Sequence, residues 1–472
     1  MKSYILSLIV LFFYSCAYNN SELSNSIVKS KKDKWESVDI VIDDYQLNSM
    51  WWKNFDDKNL DSIMHFFLIN NYDIKLALSS LESSKQLAIY NAGKILPDIS
   101  SQISNSRSSQ NFSGTSMEEA AKLFNPKGGP VYSETYALNF TSQWEIDIWT
   151  KLYSKKLSAK KEYQSSENEY KYIRFSLLAQ AVKVYFNLVE SKEQVALADS
   201  SLSGYKDIFN IVERRYNQGV RSSLDYRLAK SNVLTAKASL ERKKMITDNL
   251  TRQMEVFIGF YPSGTLETSN QLSNILPRIP SNLPSDIIQR RPDIKSSYNK
   301  IESAYAELDY AKKMKFPSFN LTGSVGTSTD DLNNLLNGDF SVWNLGTSIT
   351  LPIFQSGKIK AYENLSKTLL EQAEIQYIYS ILKAFSEIEN KLSVDLMLNN
   401  QLESLGEAYI QSKEAYLLAK DRYDKGITDL ITVLDSQKRM FDTNSQMISI
   451  QKLLIENRID LLICLGGEPD EF

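Results

Sequence analysis

The sequence predicts an internally duplicated α+β membrane protein, with a few amphipathic strands and pairs of very long helices. The first observation is a repeat. Asp73-Ile74-Lys75 and Pro97 recur as Asp293-Ile294-Lys295 and Pro317, at a numbering shift of 220. Arg215-Tyr216, Gly219, Gly259 and Pro262 recur as Arg422-Tyr423, Gly426, Gly466 and Pro469, at a shift of 207. One insertion in the first copy, between Asp98 and Arg214, accounts for the difference between the two shifts. The second observation is a set of strands with one apolar and one polar face. The third is two stretches, about 152–258 and 356–465, with no Pro and almost no Gly. A repeat of this length lies far beyond the solenoid range of about 20–50 residues, so each copy is half of a pseudo-symmetric body.

The chain has 472 residues, 42% hydrophobic and 24% charged, with a net charge of −3. That suits a large folded protein and argues against nucleic acid as a partner. Tyr4 to Tyr14 is the one long apolar stretch and follows Lys2. It is shorter than the roughly 20 residues a spanning helix needs and has the size of a signal-peptide core. Residues 1–15 are therefore expected to be an export signal. Cys16 directly follows, as at a bacterial lipoprotein processing site, although Phe13 stands where Leu is usual. Cys16 is thus the expected lipid anchor, Ala17 in the next position does not signal inner-membrane retention, and 16–50 is the expected tether. Cys464 reads as core, so no disulfide framework is expected.

Packed structure is expected to begin at Trp51-Trp52 and Phe55. Leu60, Ile63, Met64, Phe67, Leu68, Ile74, Leu78 and Leu81 recur at helical steps, and Pro97 ends that helix. Strands follow. Tyr136, Leu138, Phe140, Trp144, Ile146 and Ile148 alternate with Thr135, Asn139, Thr141, Gln143, Glu145 and Asp147. Ile99 and Ile103 make a weaker alternation before them. In the second copy, Phe319, Leu321 and Val325 alternate with Asn320, Thr322 and Ser324. Trp343, Leu345, Ile349, Leu351 and Ile353 alternate with Asn344, Gly346, Ser348 and Thr350. Each copy therefore carries one strand hairpin. The rest is helix with heptad-like spacing, as in Leu177, Leu178, Ala181, Val184, Tyr185 and Leu188. Gly219 and Gly426 mark the tips of two helical hairpins.

Four strands with a lipid-like face cannot stand alone in a bilayer, because open edges leave backbone groups unpaired. Bilayer barrels need eight or more strands. Several chains must therefore share one axis, and three would supply twelve strands. A soluble sandwich also has one apolar face, but no second sheet remains in this chain to cover it.

The chain from Cys16 to Pro469 resembles the TolC-type outer-membrane efflux family, most of all the lipoprotein branch serving RND drug-efflux pumps. The resemblance rests on Trp51-Trp52 with Phe55, Asn71-Tyr72-Asp73-Ile74, Leu283-Pro284, Arg290-Arg291-Pro292-Asp293-Ile294, Phe316-Pro317-Ser318, and Leu351-Pro352-Ile353-Phe354. Trp-Glu-Ile-Asp-Ile-Trp at 144–149 and the two Arg-Tyr-x-x-Gly tips complete it. It implies a homotrimer with a twelve-stranded transmembrane β-barrel, four strands per chain. A long periplasmic α-helical coiled-coil barrel would continue it. The first repeat is expected over 51–262, with strands at about 97–148 and a helical hairpin at about 152–258. A linker is expected at 263–287. The second repeat is expected over 288–472, with strands at about 317–354 and a hairpin at about 356–465.

The implied function is the passive exit duct of a tripartite efflux system in the outer membrane, carrying drugs or other small solutes. Its implied partners are outer-membrane lipid, a periplasmic adaptor and an inner-membrane pump. By position, the adaptor contacts fall on Gly219, Val220, Gly426 and Ile427. The family's acidic pore rings correspond to Asp435 and to Thr432, where the charge is missing, and its gate Arg corresponds to Thr428. Tyr423 and Asp225 keep the places of another gating contact, with Arg221 as a candidate to supply the missing charge. A duct for secreted proteins or metal ions, and a coiled-coil scaffold without a pore, are the alternatives. Metal export would favour Met clusters, whereas the 10 Met are scattered. His65 is the one histidine and has no Cys partner nearby, so no metal site is expected. No phosphate loop or nucleophile elbow occurs, so neither an enzyme nor a cofactor is expected.

Overall fold

The computed structural model describes residues 50–273 and 290–466. The expected export signal, Cys16, the tether, most of the linker, Leu283-Pro284 and Pro469 lie outside the described residues. A short 3-10 turn, Trp51–Phe55, leads into α1 (Lys58–Asn70) and α2 (Tyr72–Gly93). Strands β1 (Asp98–Asn111) and β2 (Pro130–Ile146) precede α3 (Lys151–Asn217) and α4 (Ser223–Phe257). The second copy runs α5 (Pro292–Lys313), β3 (Ser318–Thr329), β4 (Ser341–Thr350), α6 (Lys358–Asp424) and α7 (Leu430–Cys464).

The two shifts hold at the level of whole elements. α2 and α5 both have 22 residues. α3 and α6 both have 67, and α4 and α7 both have 35. The left-handed residues Thr150 (φ 56°) and Gly357 (φ 78°) occupy the same place before the two long helices. The insertion lies wholly in the β1–β2 connection, 112–129, whose equivalent in the second copy is the much shorter stretch 332–336.

The chain forms two compact units, and each repeat contributes to both. One unit, residues 81–166 and 298–373, holds the sheet. Its strand order is β1-β2-β3-β4, antiparallel throughout, so β1 and β4 are the edges. Cross-strand partners share a face, and the register gathers the apolar residues. Phe140, Val325 and Trp343 form one row, Trp144 and Leu321 another, and Ile146, Phe319 and Ile349 a third. The opposite face carries rows such as Ser100, Thr141, Ser324 and Asn344, or Glu145, Asn320 and Ser348. Ser100 and Thr141 share a hydroxyl hydrogen bond of 2.8 Å. Gly326 fits this register because a Cβ there would collide with the Leu138 carbonyl oxygen. The expected alternation is therefore present, with two different ends. β2 stops at Ile146, so Ile148 and Trp149 lie beyond it, and the Trp149 indole donates to the Pro317 carbonyl at 2.9 Å. β4 stops at Thr350, leaving Leu351 and Ile353 outside the strand.

The other unit, residues 1–80, 167–297 and 374–472, is helical where described. Trp51, Trp52, Phe55, Leu60, Met64 and Phe67 are buried against Phe175, Tyr185, Phe186, Met254, Ile455 and Ile459. Cys464 is buried, as expected. The Asp57 carboxylate caps α1, accepting from the Asn59 and Leu60 amides, and also accepts from the Tyr185 hydroxyl at 2.5 Å. Asp460 on α7 takes Lys183 of α3 at 2.6 Å and Lys391 of α6 at 2.7 Å. Both long helices are thereby tied to one carboxylate.

Each repeat is closed by the same kind of junction. Asn71 is 2% exposed and donates to the Phe257 carbonyl at the end of α4, at 2.8 Å. Its Oδ1 accepts from the Ile74 amide at 2.9 Å, which caps the start of α2. The equivalent Arg291, 3% exposed, donates to the Cys464 carbonyl at the end of α7, at 3.1 Å. It also holds Asp293 at 2.8 Å and Glu387 at 3.1 Å. Burial alone would lower the Arg291 pKa, but these two carboxylates raise it well above the ordinary value. Helix ends leave carbonyls unpaired, and in both copies the start of one helix satisfies the end of another.

Candidate functional site at the helix tips

The tips are built by the same local chemistry twice. Gly219 (φ 75°) and Gly426 (φ 75°) take the left-handed conformation that ends α3 and α6. Gly219 N donates to the Tyr216 carbonyl at 2.8 Å and Val220 N to that of Arg215 at 2.9 Å. Gly426 N donates to the Tyr423 carbonyl at 3.0 Å and Ile427 N to that of Arg422 at 2.8 Å. The next helices start on side-chain caps. Ser222 Oγ accepts from Asp225 N at 3.2 Å, and Asp429 Oδ1 accepts from Thr432 N at 2.8 Å. The Thr432 hydroxyl adds a bond of 2.6 Å to the same carboxylate oxygen, and these bonds hold the Asp429 carboxyl below its usual range. Asp225 and Thr432 are thus equivalent positions of the two copies.

Beneath the tips lies a small apolar cluster of Ile208, Val212, Ala229, Ala419, Tyr423, Leu430 and Val433. Tyr423 is 2% exposed, and its hydroxyl has no hydrogen-bond partner. The Arg215 and Arg221 guanidinium carbons lie 5.1 and 4.9 Å from its ring centroid, within cation–π range. Arg215 also donates to the carbonyls of Tyr423, at 3.4 Å, and Asp424, at 3.2 Å. One arginine of the first tip therefore caps the long helix of the second, where the helix dipole favours positive charge.

The structure does not bring Tyr423 to Asp225. Arg221 contacts both, with its Nη1 4.0 Å from an Asp225 oxygen. The equivalent of Tyr423 in the first tip, Tyr216, stacks on Tyr226 at 5.0 Å instead. Asp435 is exposed and pairs with Arg439 at 2.9 Å. Thr432 is exposed, as are Gly219 and Gly426. Val220 and Ile427 are the most exposed apolar residues of the tips, at 68% and 70%. Arg215 belongs to the Arg-Tyr-x-x-Gly motif, but its capping role could not be read from spacing, because its acceptors lie in the other copy of the repeat. His65 is exposed on α1. Among the described residues no cluster of His, Cys, Asp or Glu could hold a metal ion.

Several known proteins are similar to this chain. The outer membrane efflux protein family model matches residues 65–247 and 283–467. The solvent efflux pump outer membrane protein SrpC of Pseudomonas putida is 26% identical over 416 residues, covering 88% of this chain and 86% of that protein. The cation efflux system protein CusC of Escherichia coli is 24% identical over 430 residues, covering 90% and 89%. Among solved structures, the Campylobacter jejuni CmeC outer membrane channel superposes with a TM-score of 0.84 at 25% identity, covering 94% of this chain and 96% of that one. The open state of the Neisseria gonorrhoeae MtrE outer membrane channel superposes with a TM-score of 0.79 at 24% identity, covering 93% and 96%.

Proposed function

The chain belongs to the outer membrane efflux protein family, and we propose that it is the passive exit duct of a tripartite efflux system. In this reading three copies close a twelve-stranded barrel in the outer membrane and continue it as a helical tunnel through the periplasm. The observation that carries it is the sheet. Four paired strands gather rows of apolar residues, such as Phe140, Val325 and Trp343, on one face and polar rows on the other, and both edges remain open. A lipid-exposed open edge is not viable, so further strands must complete the sheet. Drugs and other small solutes are the proposed cargo, in keeping with the solvent efflux named for SrpC.

The tips are the proposed periplasmic end. Val220 and Ile427, exposed beside Gly219 and Gly426, are suited to an apolar adaptor contact. Asp435, Thr432, Tyr423 and Asp225 are the proposed gate, with Arg221 as the charge that engages both Tyr423 and Asp225. Residues 1–15 are the proposed export signal, and an acylated Cys16 would anchor the chain in the outer membrane. The test is conductance of the purified protein in planar bilayers, together with capture of an adaptor and an inner-membrane pump from native membranes. Discrete channels and both partners are expected. A protein that never conducts, yet is folded, would be a scaffold and not a duct.

A further inference from the structure

We infer that the insertion of the first copy builds a binding site for aromatic organic cations at one end of the sheet. Its placement at the outer mouth of a duct rests on the reading above, whereas the binding itself does not. The second copy joins β3 to β4 through a much shorter connection and still pairs them, so 112–129 is not needed to make a hairpin. The strands that carry the insertion also run further. Under the shifts of 220 and 207, the end of β1 at Asn111 corresponds to Asp331, and the start of β2 at Pro130 to Asn337. Yet β3 ends at Thr329 and β4 starts at Ser341. The last pair of β2 with β3 is Tyr136↔Thr329, so residues 130–135 stand beyond β3 and pair with β1 alone.

A cavity of about 460 Å³ lies on this overhang. Ser108, Gln110, Val131 and Ser133 form its floor. The pairs Ser108↔Ser133 and Gln110↔Val131 put them on the polar face of the sheet, the face of Ser100 and Thr141. Phe112, Met117 and Phe124 of the insertion line the same cavity, so the insertion folds over that face. Its backbone is tied at both ends. Gly114, with φ 77°, donates its amide to the Glu118 carboxylate at 2.9 Å, and the Thr115 hydroxyl donates to the Phe112 carbonyl at 2.8 Å. At the far end Asn125 Nδ2 donates to the Pro130 carbonyl at 3.1 Å, and Gly128 N to the Asn125 carbonyl at 3.0 Å. These bonds hold the three apolar side chains around one space. Phe124 stays 80% exposed and Met117 57%. Apolar surface kept open beside a few polar groups, in a cleft of about 300–1,000 Å³, is the make-up of a small-molecule site.

Charge selects the sign of the ligand. Two of the residues lining the cavity are charged, Asp330 and Glu134, and none is Lys or Arg. Glu134 accepts from the Tyr136 hydroxyl at 3.0 Å, while Asp330, directly after β3, is exposed. Lys122 of the insertion is paired with Glu119 at 2.5 Å. Ring faces attract cations, and the polarizable Met thioether packs well against aromatic rings. A cation with an aromatic body therefore meets rings and carboxylates together. An anion of the same shape meets the same rings and two like charges.

The test is isothermal titration of the purified full chain in a nonionic detergent, with detergent alone as the blank. Tetraphenylphosphonium and tetraphenylborate are the probes, because they share a shape and differ in sign. The cation should bind saturably, one ion per chain, and the anion about tenfold more weakly or less. Phe124→Ala and Asp330→Asn should each weaken the cation about tenfold, the first by removing a ring face and the second a charge. Replacing 112–129 with 332–336 should abolish binding, with melting temperature as the check on folding.

Equal uptake of both ions, or uptake that never saturates, is partition into micelles and overturns the site. Unchanged cation binding in both point variants overturns it as well. If wild type binds no cation and Phe124→Cys chains cross-link to one another, insertions of neighbouring copies fill the cavity, which also overturns it. Conductance of the same sample separates the site from the duct reading. A conducting protein without saturable cation binding loses the site and keeps the duct, whereas a cation-binding protein that never conducts keeps the site and loses the duct.

Discussion

The Arg291 guanidinium donates to the carbonyl of Cys464 at 3.1 Å, across 173 residues of sequence. The Arg-Arg-Pro-Asp-Ile run is therefore a structural latch: its second arginine closes the end of the last helix, and its aspartate and Glu387 hold the charge. Removing one partner of a buried ionic group is expected to cost about 3–5 kcal/mol. Arg291→Ala should show this as a lower melting temperature of the purified protein, with Arg291→Lys in between because Lys lacks the fork. Asn71→Ala, which removes the equivalent latch in the first copy, should cost about 1–3 kcal/mol. Equal melting of wild type and both alanine variants would remove the latch.

Cys464 should resist thiol reagents at neutral pH in the folded protein. Burial pushes its thiol up from 9.0 to about 11, only partly offset by Arg291. The folded state holds this proton more tightly than the unfolded chain. The associated stability is fully present below pH 9.0 and is lost as pH rises towards about 11. Cys464→Ala should flatten the fall of melting temperature over that window, and an unchanged slope would contradict the assignment.

The facing of the sheet predicts unequal costs for charge. Tyr136, Leu138, Phe140, Ile349 and Leu351 are expected towards lipid, and Asn139, Thr141, Ser348 and Thr350 towards the lumen. Leu138→Arg should cost about 2–4 kcal/mol at a mid-membrane position, whereas Thr141→Arg should assemble normally. Assembly yields of the two variants in outer-membrane fractions decide this, and equal impairment would reverse or abolish the facing.

At the tips, Arg221→Ala should remove the side chain that contacts both Tyr423 and Asp225 and loosen the closed state, read as more frequent opening in single-channel records. Tyr423→Phe alone should do little, because its hydroxyl makes no hydrogen bond. Asp435→Ala should reduce cation selectivity, since three such carboxylates around one axis would attract cations into a constriction. If opening and selectivity are unmoved in both alanine variants, these residues are ordinary helix ends.

The mature N-terminus should carry fatty acid on Cys16. Mass spectrometry of protein extracted from membranes reads this directly, and an unmodified terminus at another residue would reject it. Cys16→Ala should slow sorting more than it weakens the folded assembly, because a single lipid adds little to an inserted barrel.

Much of this fold was legible because its signals are local or periodic. The shifts of 220 and 207 foretold helices of matched length, and the alternation from Tyr136 to Ile146 foretold the faces of β2. What escaped were contacts between distant segments. Nothing in the spacing of Arg291 or Asn71 says which helix end each one closes. The place of the insertion was bounded only between Asp98 and Arg214, since turn-forming residues at 112–129 do not reveal where strand pairing resumes. At the tips, the pairing of Tyr423 with Asp225 was an expectation of resemblance, and the intervening Arg221 depends on side-chain reach that a sequence does not display.

The equal lengths of the paired helices make the chain a vernier. Deleting one residue from α3 would turn everything beyond it by about 100° and draw it back by about 1.5 Å, while α6 kept its phase. The two copies could then no longer present matching stripes to common neighbours. Substitution is thus cheap only at the exposed positions of these helices, whereas a frameshift of the helical phase displaces every position beyond it. The length difference between the copies is confined to one connection between strands, 112–129 in the first and 332–336 in the second. A chimera that exchanges 151–257 for 358–464 would preserve phase throughout, which makes recombination between the copies the natural way to learn which stripe each one owns.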